Sequence, residues 1–230
     1  MRLGYNTVRI HHYEADLINR DAPDSLTLRP EQLDKLDYLL AAFKKRGLYI
    51  KTDLFVSRPV KPAEMGLTEG GMDDFKDAVL VSKPAMDNWK AFTRVLLTHV
   101  NPYTGLAYKD EPALAWLSLV NEPALTNGWS ETPAFMATRE QFDFVDNHFY
   151  WDHPSFLGQS WGLPSTGGSG NASAVAAGGA GPDNVAMTRL WGKPFTVSEW
   201  DYVFPNRYRA EGSLIMGAVS ALQDWDAVWH

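Results

Sequence analysis

Two glutamates carry the strongest chemical signal in the chain. Glu122 lies in WLSLVNEPAL (116–125), where an apolar run ends in an amide, a carboxylate and a proline, and Glu199 lies in PFTVSEW (194–200). Two carboxyl groups in one cleft can divide labour. One, kept protonated by burial beside apolar neighbours, delivers a proton to a departing oxygen, while the other, ionised, attacks or steadies the developing cation. This is the chemistry of glycosidic bond cleavage. The pair stands 77 residues apart, so only the fold can unite it.

The text between them alternates strand and helix. YNTVRIHHY (5–13) is strand-like, and the stretch from Pro30 to Gly47 places Leu33, Leu36, Leu39, Leu40 and Phe43 at helical spacing. LYIKTDLFV (48–56) reads as the next strand, and DNWKAFTRVLLTHV as a helix with Trp89, Phe92, Val95, Leu96 and His99 on one face. ALAWLSLVNE (113–122), apolar on both faces, FDFVDNHFYW (142–151), PFTVSEW, a helix near 210–223 and a final AVWH complete the series. Repeated strand–helix–strand text with near-continuous apolar strands predicts a parallel α/β sheet closed as a TIM-type (β/α) barrel. The Gly/Ala/Ser-rich interval 157–183 reads as a mobile loop inside one domain, 1–230.

Such barrels gather their chemistry at the C-terminal ends of the strands. There the sequence places Arg9, His11 and His12 on the first strand, Asp53 on the second, Asn121 and Glu122 on the third, and Asn147, His148, Tyr150 and Trp151 on the fourth. Ser198, Glu199 and Trp200 follow on the fifth, and Trp229 and His230 on the last. Adjacent residues of a strand point to opposite faces, so only one of His11 and His12 is expected in the cleft. Asp53 is read as a structural hydrogen-bonding group.

LVNEP on one strand, DNHFYW on a later one, TVSEW on the next and Trp229 on the last, in that order, resemble the (β/α)8 glycoside hydrolases of clan A, family 5-like retaining β-glycosidases. The resemblance implies Glu122 as general acid/base and Glu199 as nucleophile. It implies that Asn121 bonds the sugar 2-hydroxyl, that Arg9 and Tyr150 flank Glu199 and keep it ionised, that His148 and His11 or His12 touch hydroxyls, and that the sugar stacks on Trp229. Trp151 and Trp200 are counted with these substrate-binding residues. No cofactor or metal is implied. Carboxyl groups about 5–5.5 Å apart would signal retention, and about 6.5–9.5 Å inversion.

Only six strands are found where a full barrel has eight. The family's first and fifth strands have no counterpart, and the 19 residues between Glu122 and Phe142 hold one short helix or loop. A naturally shortened barrel, a piece of a longer protein and a spliced chain are the three explanations. Exposed sheet edges would then be covered by a homo-oligomer or lower the stability. Two other readings compete: a carbohydrate-binding relic without turnover, and a metal hydrolase using His11, His12, Asp53, His148 and Asp152, although no His-x-His or His-Glu-x-x-His pattern occurs.

The bulk composition agrees with a carbohydrate partner. Nine Trp, nine Tyr and eleven Phe make up 13% of the 230 residues, a surplus of flat rings suited to sugar faces. A net charge of −7 disfavours nucleic acid. The absence of Cys excludes disulfides, thiol catalysis and zinc–thiolate sites. No apolar run of about 18 residues is present, so no membrane partner is expected, and no signal-like segment fixes a secreted or a cytoplasmic location.

Overall fold

The computed structural model describes residues 4–123, 133–158, 160, 167–179 and 181–230, and the chain divides into two compact units, Met1–Gly128 and Trp129–His230. The first contains β1 (Thr7–Ile10), α1 (Glu14–Leu17), α2 (Pro30–Lys45), β2 (Tyr49–Asp53), α3 (Pro62–Met65), α4 (Met72–Val81), α5 (Lys83–Thr98) and β3 (Leu114–Ser118). The strands pair in parallel in the order β1-β2-β3. Pro30 opens α2, where its missing N–H would have no helical partner anyway, and Gly47, at φ 70°, makes the left-handed turn into β2.

The helical stripes read from the sequence are present but narrower. Leu36 and Leu40 of α2 and Phe92 and Leu96 of α5 bury against Ile50 of β2, each contributing roughly 1.5–3 kcal/mol. Leu39 and Val95 remain 39% exposed, at the edge of each stripe. The third strand departs from expectation: β3 is half-buried instead of covered on both faces, because it is an edge strand of its three-stranded sheet.

Residues 57–75 contain α3 and the start of α4. Phe75, Ala78 and Val79 bury with Phe55, Met65 and Ala85 as a second core. Under it lies Arg58, fully buried, bonded to Ser25 and Asn88, with its guanidinium 4.4 Å from the Phe92 ring centre. Burial pushes Arg58 down to about 10, so it is still charged at neutral pH.

The second unit contains α6 (Pro133–Arg139), β4 (Val145–Trp151), β5 (Ser155–Phe156), β6 (Gly167–Gly168), α7 (Asp183–Ala186), β7 (Phe195–Tyr202), α8 (Glu211–Leu222) and β8 (Ala227–Val228). Its parallel sheet runs β4-β7-β8, around a core of Val145, Phe149, Phe195, Val197, Trp200, Tyr202, Met216 and Trp225. The interval after Glu122, expected to hold one short helix or loop, contains α6 among its described residues; residues 124–132 lie outside them.

The long Gly-rich segment is not featureless. Among its described residues, Gly167 and Gly168 pair antiparallel with β5. Asp152 accepts the backbone N–H groups of Gly170 and Asn171 and the amide of Asn206, and Glu211 accepts Ser173 Oγ and Val175 N. Two carboxylates thus tie down the stretch read as mobile. No helix among the described residues is long and apolar enough to cross a membrane.

Candidate active site

In the first unit the polar residues of the strand ends converge on Asp53, the last residue of β2. Asp53 is fully buried and accepts from Arg9 Nη2 at 3.1 and 3.2 Å and from His11 Nδ1 at 2.9 Å. Burial by itself would raise its pKa, but the His11 hydrogen bond and the Arg9 and Lys51 charges outweigh it and hold the carboxyl below its ordinary value. An ionised Asp53 only accepts, so His11 carries its hydrogen on Nδ1.

The same Arg9 Nη2 donates to Asn121 Oδ1 at 2.9 Å. With its oxygen committed to Arg9, the Asn121 amide has its two N–H donors for other partners. Asn121 and Glu122 lie past the end of β3, in a loop fixed by the Asn121 N–H on Phe55 O at 2.8 Å. Glu122 is half-buried at φ 45°, a left-handed conformation that a non-glycine residue holds only where its surroundings impose it. The opening segment therefore stops being strand at Ser118, and the polar pair projects from a strained turn.

His11 and His12 do not alternate as a strand would. Both follow β1, and His12, at φ 59°, turns the chain so that the rings meet edge to face at 4.2 Å. His11 takes Asp53, and His12 is exposed.

In the second unit the convergence is on Glu199. Tyr150 Oη donates to Glu199 Oε2 at 2.7 Å, and His148 Nδ1 lies 3.5 Å from the same oxygen. A β-bulge makes this possible. The register runs Asn147↔Val197, then His148↔Glu199, leaving Ser198 as an extra residue on β7. From Thr196, which faces Asp146, strict alternation would bring Trp200 to the side of His148 and Tyr150 and turn Glu199 away. The bulge reverses that choice, a common use of bulges beside functional sites.

Trp200 is the residue that leaves. It packs into the core with Phe149 and Tyr202 and is 8% exposed, on the opposite face of β7 from Glu199, contrary to its expected place among the ligand-contacting aromatics. Trp151 donates its indole N–H to Ala172 O and so holds the long loop. Trp229 is buried, and its backbone N–H continues the ladder onto Val197 O. His230 reaches Asp201 at 3.3 Å. Of the proposed metal ligands, His11 and Asp53 bond each other and Asp152 anchors a loop.

Asp146 was missed. It stands two residues before His148 on β4 and accepts from both Thr196 and Ser198. The spacing 146/148/150 in VDNHFYW carries the period-2 signal that could have found it.

Parallel strands alternating with helices, with polar side chains at the strand ends within each unit, give the chain the fold class of an incomplete (β/α) barrel. Comparison with known proteins supports that class. The chain is similar in fold to the endo-1,4-β-D-mannanase of Thermotoga petrophila RKU-1 (TM-score 0.65, 17% identity, 99% of this chain and 80% of that one). It is likewise similar to a glycoside hydrolase family 5 mannosidase of Rhizomucor miehei (TM-score 0.61, 13% identity, 99% and 72%). At the sequence level, 97 residues are 36% identical to a protein of Oryza sativa subsp. japonica that carries the name mannan endo-1,4-beta-mannosidase 9. That match covers 38% of this chain and 22% of the rice protein, so it spans about a fifth of its relative. No family model matches the chain.

Proposed function

We propose that residues 1–230 form one catalytic domain that hydrolyses β-glycosidic bonds with retention, using Glu122 as acid/base and Glu199 as nucleophile. The observation that carries this reading is the Tyr150 hydrogen bond to Glu199, with His148 beside it. A hydroxyl donated to a carboxylate favours its ionised form and helps to orient it. The similar proteins named above are mannanases and mannosidases, so β-1,4-linked mannan is the substrate of first choice.

In the first step Glu199 attacks the anomeric carbon while Glu122 protonates the glycosidic oxygen, and the leaving sugar departs. In the second, Glu122 takes a proton from water, whose oxygen displaces Glu199 and regenerates both carboxyl groups. Asn121, with its oxygen held by Arg9, offers N–H donors to the 2-hydroxyl, where bonds strengthen as the cation develops. In this reading Arg9 also flanks Glu199, His11 and His148 contact sugar hydroxyls, and Trp229 stacks on the ring. This two-carboxylate route uses no metal or cofactor. Each three-stranded sheet has two edge strands, and we further propose that copies of the chain associate through such edges, which sedimentation would detect.

The test is release of reducing ends from β-1,4-mannan by the purified chain, repeated with Glu122→Gln and Glu199→Gln. Each substitution is expected to lower kcat by on the order of a thousandfold, since it removes one partner of a coupled pair. Mannan binding with no turnover by the unsubstituted chain would contradict the hydrolase reading.

A further inference from the structure

Behind Glu199 stands a line of side chains that the two-carboxylate reaction does not itself require. Asp146 Oδ1 accepts from Thr196 Oγ1 at 2.7 Å, Asp146 Oδ2 accepts from Ser198 Oγ at 2.6 Å, and Ser198 Oγ lies 3.0 Å from His148 Nε2. His148 Nδ1 then faces Glu199 Oε2. Ser198 is 2% exposed, so these contacts act where water screens them little.

Counting hydrogens fixes the direction of the line. A carboxylate brings none, so the short Asp146–Ser198 contact uses the one hydrogen of the Ser198 hydroxyl. Ser198 Oγ then meets His148 with lone pairs only, and Nε2 must donate. A neutral imidazole has a single N–H, which leaves Nδ1, the nitrogen beside Glu199, as an acceptor. The reversed tautomer would instead donate Nδ1–H towards Glu199 Oε2, the oxygen that accepts from Tyr150.

We propose that Asp146 and Ser198 are positioning residues which, acting through His148, fix it as the Nε2–H tautomer and so present Nδ1 as an acceptor beside Glu199. This rests on the reading of Glu199 as nucleophile. The β7 bulge gives it structural sense, because the extra residue is Ser198 itself: the insertion that aims Glu199 also inserts the hydroxyl that orients the neighbouring ring.

The experiment is ¹⁵N spectroscopy of the histidine side chains in the full chain, at a pH where the rings are neutral, with the His148 signals assigned by their loss in His148→Asn. The unsubstituted protein is expected to show Nε2–H. In Asp146→Asn the amide can donate to Ser198, turning the hydroxyl onto Nε2 and shifting His148 towards Nδ1–H, and Ser198→Ala should leave a mixture. Both should lower kcat on mannan about tenfold, with KM changing less. A His148 found as Nδ1–H in the unsubstituted protein, or a tautomer unmoved in both folded variants, would overturn the proposal. The tautomer is read without turnover, so an inactive unsubstituted protein would count against the hydrolase reading while the spectra still decide the roles of Asp146 and Ser198.

Discussion

Tyr150 and Glu199 are joined by a 2.7 Å hydrogen bond between adjacent parallel strands, and the bond exists because one extra residue, Ser198, turns Glu199 to the face that Tyr150 occupies. Tyr150→Phe keeps the ring and removes only this donor. A hydrogen bond to a charged group is worth about 1.5–3 kcal/mol, so kcat/KM on mannan should fall by about 10- to 100-fold. Tyr150 is 38% exposed, and its thermal midpoint should barely move. Steady-state kinetics beside a melting curve separate the two effects.

Asp53 links stability to pH. Its folded pKa lies below its unfolded value, so its contribution is full above about 3.9, where both states are ionised. It is lost as pH falls further, while the unfolded chain binds a proton and the folded chain does not. Asp53→Asn should therefore lower stability at neutral pH and flatten the acid limb of a plot of urea midpoint against pH. An unchanged acid limb would show that the Arg9 and His11 contacts do not hold the carboxyl in its charged form.

Trp200 should behave as core. Trp200→Ala is expected to cost about 3–5 kcal/mol, and Trp200→Phe less, with KM for mannan within about twofold of the original in the milder variant. A raised KM at undiminished stability would return Trp200 to the ligand side of the strand.

Gly212, in the first turn of α8, lets that helix approach β7. A Cβ there would fall onto the Tyr202 ring, which is itself 1% exposed and cannot swing away. Gly212→Ala should lower unfolding free energy by about 1–3 kcal/mol despite alanine's better helix propensity, as chemical denaturation would show.

These cases show what the amino-acid text carried and where it fell short. Strand and helix periodicities located the six strands of the two parallel sheets and the core around Phe92, because burial of alternating or helically spaced side chains is a local property of the sequence. The meeting of Tyr150 with Glu199 was within reach, since the resemblance carried by DNHFYW and TVSEW implies it; the approach of His148 to the same oxygen was not expected. The desertion of Trp200 was not. Strand alternation assigns faces only while the register is unbroken, and nothing in TVSEW marks Ser198 as an added residue. Likewise His11 and His12 look like neighbours on a strand until the backbone turns left-handed at His12. Asp146 was hidden by its ordinariness, an acid on a strand, until two hydroxyls were found to converge on it.

The central claim is that Glu199 forms a covalent bond to the sugar during hydrolysis. Incubation with a 2-deoxy-2-fluoro-mannosyl donor bearing a good leaving group, followed by peptide mass spectrometry, tests it directly. The added mass of one fluorosugar on the peptide that contains Glu199, absent in Glu199→Gln, is the predicted result. Label carried by a different residue, or turnover of mannan with inverted anomeric configuration, would contradict it.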